Sequence, residues 1–224
     1  MKKLSYIMVI CLVVNCTSTQ LIDRWKNPDI NTYEPYKILV VGLTSNDIAR
    51  QQFEQQLKKE FELRGSEAVM SLDVLDTTPK TDKMTETELD SLENQLIEDG
   101  FDTILLTKII GVEDKISYHK DYKSYERTYR KFKDEYLMYQ DIFYNPDYYN
   151  EYKVYTAETS MYCICPTKAR ELLWKGYINI TDPISIEKTV NDYVKLTIVA
   201  LEQEQLVKTK IITQEDTSEE ISNY

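Results

Sequence analysis

Glycine is scarce in this chain, five among 224 residues, and there is one histidine and two tryptophans. So few glycines leave little room for phosphate-cradling loops, and neither the GxGxxG spacing nor a GxxxxGK loop is present. A lone histidine, His119, excludes sites built from several imidazoles. Positive charge is the minority: 27 Lys and Arg stand against 38 Asp and Glu, a net charge of -11. That balance excludes nucleic acid as a partner, because phosphate backbones need a positive field. Beyond the first residues no apolar run approaches membrane-spanning length. The length fits one domain or at most two, enough to bury a real core.

What is present begins at the N-terminus. Met1, Lys2 and Lys3 precede an apolar run from Leu4 to Val14, interrupted by Ser5 and Tyr6 and followed by Asn15 and Cys16. A basic start and a short apolar stretch are the pattern of a secretory signal, expected here over residues 1–15. Val13, Val14 and Asn15 before a cysteine suggest a lipoprotein signal, with Cys16 receiving acyl chains such as palmitate. An ordinary cleaved signal with an incidental cysteine is the plainer alternative. Two or three acyl chains would anchor stably, whereas one is marginal. Residues 16–36, rich in Thr, Ser, Asn, Asp and Pro, are expected to form a lipid-anchored tether. Loss of Lys2 and Lys3 takes the formal charge to -13, so the anchor, not the acidic surface, would hold the body to a membrane.

The body, residues 37–208, alternates apolar runs with amphipathic segments. Lys37 to Leu43 is a continuous apolar run, as in a strand covered on both faces. Ser45 or Asn46 can cap a helix carrying Ile48, Phe53, Leu57 and Phe61, with Gly65 as its stop. Glu67 to Leu72 predicts a second strand. Thr85 with Glu88 forms a capping box for a helix with Leu89, Leu92, Leu96 and Ile97 inward, ended by Gly100. Phe101 to Val112 predicts a third strand, so two strand-helix-strand units imply a parallel three-stranded core. Tyr152 to Cys165 and Glu171 to Thr181 predict a hairpin, and a last helix near Ser185 carries Val190, Tyr193, Val194, Thr197, Ile198 and Leu201 on one side. The expected fold class is α/β, a two-layer or three-layer sandwich with a mixed sheet, in the order β-α-β-α-β, aromatic insertion, β-hairpin, α. Residues 209–224 are polar and acidic and are expected to be a disordered tail.

The residues with chemical potential are few. Cys163 and Cys165 lack the further ligands of a closed zinc site and the C-x-x-C spacing of a redox motif. They are expected to be small apolar fillers or a bridge between neighbours, with their redox state open. His119 stands among Tyr118, Lys120, Asp121 and Tyr122 without an identifiable nucleophile, as a solvated side chain would. The acidic runs Glu86 to Glu93 and Glu215 to Glu220 lack a calcium-loop pattern. No catalytic residue, metal site or cofactor is expected.

Tyrosine is the exception to this plainness. Eleven of eighteen lie between Tyr118 and Tyr155. Tyr118, Tyr122, Tyr125, Tyr129, Phe132, Tyr136, Tyr139 and Phe143 follow alternating steps of four and three, which predicts a helix from about Ser117 to Phe143 with an aromatic stripe, inside an insertion at 117–150. The stripe would pack on the body, form a partner surface, or stack on sugars of a glycan. If the segment is instead a long β-hairpin arm, that spacing is accidental.

Trp25, Lys26, Asn27 and Pro28 ahead of the strand Ile38 to Leu43, Arg50 and Phe53 on the first helix, Glu67-Ala68-Val69, and the hairpin residues Glu158, Tyr162, Leu173 and Trp174 together resemble a group of small bacterial lipoproteins without assigned activity. More remotely, the order of elements is similar to that of curli-secretion and penicillin-binding-protein activator lipoproteins. The resemblance spans roughly residues 22 to 205 by element order. It departs at 117–150, which contain no glycine where related chains have a Gly-rich and Tyr-rich loop. It implies an accessory protein of the cell envelope, anchored at the outer membrane, with an envelope protein or a second copy as partner, and not an enzyme. Two other readings stay open: a self-associating structural protein using the Tyr118 to Phe143 face, and a hydrolase of envelope polymers with an unrecognised site.

Overall fold

The computed structural model describes residues 18–75, 85–118, 149–165 and 171–210, with no side chains given for 116–118 and 149–151. The elements are β1 (Thr19–Lys26), β2 (Lys37–Leu43), α1 (Asp47–Glu62), β3 (Glu67–Met70), α2 (Ser71–Val74), α3 (Glu86–Glu98), β4 (Thr103–Tyr118), β5 (Tyr149–Cys163), β6 (Glu171–Thr181) and, last, α4 (Ile186–Gln203). Six strands form one mixed sheet in the order β1-β6-β5-β4-β2-β3. The β3, β2 and β4 strands run parallel, and the β4, β5, β6 and β1 strands pair antiparallel. The chain is an α/β sandwich, as its sequence predicts.

Alternation on β2 builds two cores. Ile38 and Val40 face α1 and α4, packing with Phe53, Leu57, Phe61, Val194 and Leu201. Leu39 and Val41 face the other way, onto Leu96 of α3 with Phe101 and Ile164. The continuous apolar run of β2 therefore reflects cover on both faces. The connection from β2 to β3 carries α1 on one face, and the return from β3 to β4 carries α3 on the other, so both crossovers have the same hand.

Caps hold the helices where the sequence places them. Asn46 accepts from the Ala49 amide at 3.0 Å. Thr85 and Glu88 form the reciprocal box, and Ser185 accepts from Lys188 at 3.2 Å. Gly65 and Gly100 close α1 and α3 at φ 86°, a conformation that costs other residues. Ile48 and Leu89, expected inward, are exposed because the first turns of α1 and α3 lie outside the two cores.

Two sequence expectations are corrected. Residues 19–26, assigned to the tether, are strand β1, paired with β6 from Thr19 opposite Ile180 to Lys26 opposite Trp174. Apolar periodicity does not show it because a bulge at Ile22 breaks the alternation and the cations Arg24 and Lys26 stand where the strand meets the end of α4. Arg24 bonds Gln203 at 2.9 Å and Glu204 at 3.1 Å, while the Lys26 ammonium donates to the Glu204 carbonyl at 2.5 Å. These charges cap the C-terminus of α4, where cations are favoured. Second, the helix expected from Ser117 does not begin there. Ser117 and Tyr118 continue β4, opposite Asn150 and Tyr149 of β5, because the ladder persists through Glu113 to Ile116. The rest of that expected helix, and His119, lie outside the described residues, as do Cys16 and residues 211–224.

Polar groups complete the framework. Glu54, fully buried on α1, accepts from the Gly42 amide at 2.9 Å, Arg50 Nε at 3.0 Å, Ser71 Oγ at 2.6 Å and the Leu72 amide at 3.2 Å. These bonds draw the chain out of the ladder after Met70, ending β3 two residues before the expected Leu72. Arg64 joins α1 to α4 through Glu202 at 2.8 Å and Glu60 at 2.6 Å. On the sheet face away from α1 and α4, Glu158 is held by Lys175 at 3.1 Å, Lys108 at 3.3 Å and Ser160 at 3.2 Å. Cys163 and Cys165 are joined by a disulfide, their α-carbons 5.4 Å apart.

Replacing Glu54 with Ala should cost about 3 to 5 kcal/mol, since a buried pair and three further donors lose their acceptor. Urea unfolding followed through the buried Trp174 reads this directly; a loss below about 1 kcal/mol would remove Glu54 from its structural role. Burial pushes the Glu158 carboxyl up, and the hydrogen bonds of Lys175 and Lys108 outweigh it, so its pKa lies below the ordinary value. Stabilisation of that sign is present above the unfolded pKa and is lost as pH falls through the folded one. Glu158→Gln should therefore cost about 1 to 2 kcal/mol near neutral pH. The gap from wild type should close as pH drops from about 5 toward 2, as paired urea curves would show.

Candidate functional site

At the carboxyl end of β2, beside Thr107 to Ile109 of β4 where the parallel pairing of the two strands stops, the sheet opens into a cavity of about 130 Å³ under the first turns of α1 and α4. Open α/β sheets hold ligands at this position, where parallel strands end and helices begin. Gly42 makes one wall: a Cβ there would meet Phe53 Cδ1 at 3.1 Å, so a side chain would crowd the ring. Leu43, Ala49, Phe53, Ile109, Ala157, Ile180 and Val190 make most of the remaining surface apolar. The Glu54 network sets its shape by binding the Gly42 amide from α1, one turn beyond Arg50.

The floor is a row of hydroxyls. Thr107 and Thr159 share a hydrogen bond of 2.7 Å across β4 and β5, and Thr159 meets the Tyr193 hydroxyl at 2.8 Å. Tyr193 also receives Phe53 edge-on, ring centres 5.8 Å apart at 72°. Burial pushes the Tyr193 phenol well above its ordinary range, against the hydrogen bonds from Thr159 and Thr107 that lower it. It therefore stays protonated and acts as a hydrogen-bonding group. Thr189 lines the cavity too, and its buried hydroxyl has no hydrogen-bond partner among the described residues. Apart from Thr189, the cavity's hydroxyls are bonded among themselves, and with apolar walls beside them they suit retention of an apolar group.

Around the other end of the sheet lies a second polar cluster. Tyr33 meets Thr103 Oγ1 at 2.8 Å, and Asp102 accepts from the Tyr36 amide at 2.8 Å and the Lys37 amide at 3.2 Å. Burial pushes the Tyr33 phenol up to about 12. These bonds tie the segment before β2 to the start of β4 and need no ligand to explain them. A broader groove of about 510 Å³ between α1 and α4 is lined by charged residues such as Lys59, Glu60 and Arg64, already paired along the helix seam or facing water.

Of the tyrosine-rich stripe proposed from sequence as a partner surface, the structure places Tyr118 alone, on the last described pair of β4, opposite Tyr149. Tyr122, Tyr125, Tyr129, Phe132, Tyr136 and Tyr139 lie outside the described residues, as does the lipid-attachment candidate Cys16. Sequence reading did not find the cavity. Its one available signal was Gly42 at the end of a buried strand just before a capped helix, where a missing side chain leaves room. Tyr193 was legible only as a core position. Among the described residues no three potential metal ligands converge, and no helix is long and apolar enough to cross a membrane.

No family model and no curated protein matches the chain. Among solved structures it is similar to a PelC dodecamer from Paraburkholderia phytofirmans, at 8% identity and a TM-score of 0.42, over 84% of this chain and 97% of that one. It is also similar to lipoprotein GNA1162 from Neisseria meningitidis, at 11% identity and a TM-score of 0.39, over 75% of this chain and 99% of that one. Likeness at these scores transfers neither activity nor partner.

Proposed function

We propose that this chain is a lipid-anchored binding or assembly module of a bacterial cell envelope, held at the outer membrane through Cys16 and without catalytic chemistry of its own. The observation that carries the reading is the position of β1. Its first residue, Thr19, follows Cys16 by three positions and is already paired in the sheet. At ~3.5 Å per residue, the acylated cysteine would sit within about 10 Å of the body. The basic and apolar segment ahead of Cys16 supports the same reading, and so does an apolar cavity whose polar floor is occupied with itself. The partner surface proposed here remains the tyrosine-rich stretch, Tyr118, Tyr122, Tyr125, Tyr129, Phe132, Tyr136 and Tyr139, toward an envelope protein or a second copy of the chain.

Cys16→Ser should move the protein from the membrane to the soluble fraction and block processing of the precursor. Unchanged fractionation and unchanged mass would sink the anchor. Tyr122→Ala combined with Tyr129→Ala should lose a partner recovered from crosslinked envelopes while the thermal midpoint stays put. Full retention of every crosslinked species would remove that stretch from the partner surface.

A further inference from the structure

The start of β1 and the cavity meet at one end of the sheet. Ile180 lines the cavity, and its partner across the β1-β6 ladder is Thr19. The carbonyl of Ser18 accepts from the Thr181 amide at 2.6 Å, so the chain leading back to Cys16 leaves the body beside that wall. Three residues reach about 10 Å at most, less than the length of a fatty-acyl chain. The rim is apolar and in water: Leu43 is 53% exposed, Ile48 61%, Ile109 42% and Ile184 88%. Leu43 and Ile109 border the cavity itself, while Ile48 and Ile184 stand in the first turn of α1 and just before α4.

We propose that the cavity is an acyl-chain site and that its occupant is one fatty-acyl chain of the protein's own Cys16 lipid. The proposal rests on the anchor reading given above. A cavity of roughly 150 Å³ holds a benzene, so one of 130 Å³ takes an acyl terminus of similar size. The remaining methylenes lie along Leu43, Ile48, Ile109 and Ile184 and remove them from water. A three-residue link gives the chain a high effective concentration at this site. The other acyl chains stay in the bilayer, so the body is clipped to its anchor and its orientation is restricted.

The test uses the full chain made in cells fed a fatty acid with a diazirine near its terminal carbon. After illumination, digestion and mass spectrometry, the N-terminal peptide carrying the probe should be crosslinked within the same molecule to residues 42–53 or 180–193. Ala49→Phe and Thr189→Phe, both at half-exposed positions, narrow the site from two helices; each should cut that crosslink about tenfold with an unchanged thermal midpoint. Probe present on the protein but crosslinked only to lipids overturns the cavity proposal and leaves the anchor standing. In Cys16→Ser, crosslinking of free probe lipid to the cavity at the wild-type level makes membrane lipid the occupant and overturns it as well. Absence of probe from wild-type protein defeats the anchor reading and the proposal together.

Discussion

A carboxylate without solvent needs donors from several directions, and Glu54 obtains them from three elements. The Gly42 amide comes from the end of β2, Arg50 from its own helix, and Ser71 with the Leu72 amide from the start of α2. A buried charge is tolerated only when so paired, which makes this group exacting about where each partner stands. It fixes α1 over the parallel strands, ends β3 after four residues and holds Gly42 against Phe53. The cavity wall is therefore a consequence of an electrostatic requirement one turn away. Arg64 repeats the device at the other end of α1, joining it to α4 through Glu202. Between them the two networks determine how α1 and α4 sit over the sheet, and so how wide the cavity can be.

The elements that declare themselves in the sequence are those whose burial imposes a period. Continuous apolarity marks β2 because both its faces are covered, and the inward side chains of α4 repeat at helical spacing. Capping chemistry adds local signals at Asn46, Thr85 and Ser185. Strand β1 has no such mark. It is an edge strand, its period is broken at Ile22, and Arg24 and Lys26 stand where an apolar repeat would continue, bonded to the α4 terminus. The cavity is silent for a different reason: Gly42, Thr107, Ala157 and Tyr193 come from four elements and are ordinary in each. Their meeting is a property of register between strands, which no local pattern encodes.

Tyrosine spacing changes meaning once the ladder is known. Steps of three and four align rings on a helix, but on a strand a step of three sends successive side chains to opposite faces. Tyr149, Tyr152 and Tyr155 are spaced by three and lie on β5, paired with Tyr118, Lys115 and Val112. Tyr152 and Tyr155 thus face opposite sides of β5, Tyr155 where β6 still pairs with it and Tyr152 where β4 and β5 continue as a two-stranded arm. Aromatic and β-branched residues suit such an arm, where cross-strand pairs supply stability that helix cover supplies elsewhere in the sheet. The abundance of tyrosine at its base has a structural reason independent of any partner.

The shift of residues 19–26 from tether to strand alters the mechanics of anchoring. A flexible link of twenty residues would let a lipidated domain sample many distances and orientations, its reach growing with the square root of length. A strand in the sheet removes that freedom, since bending the entry at Ser18 means breaking the bonds between β1 and β6. With Cys16 acylated as proposed, force felt by the body would reach the anchor through the β1-β6 ladder. Under the proposed anchor the same constraint would hold the lipid near the cavity end of the sheet, because Thr19 pairs with Ile180 of the cavity wall, and lengthening the link before Thr19 would separate the two.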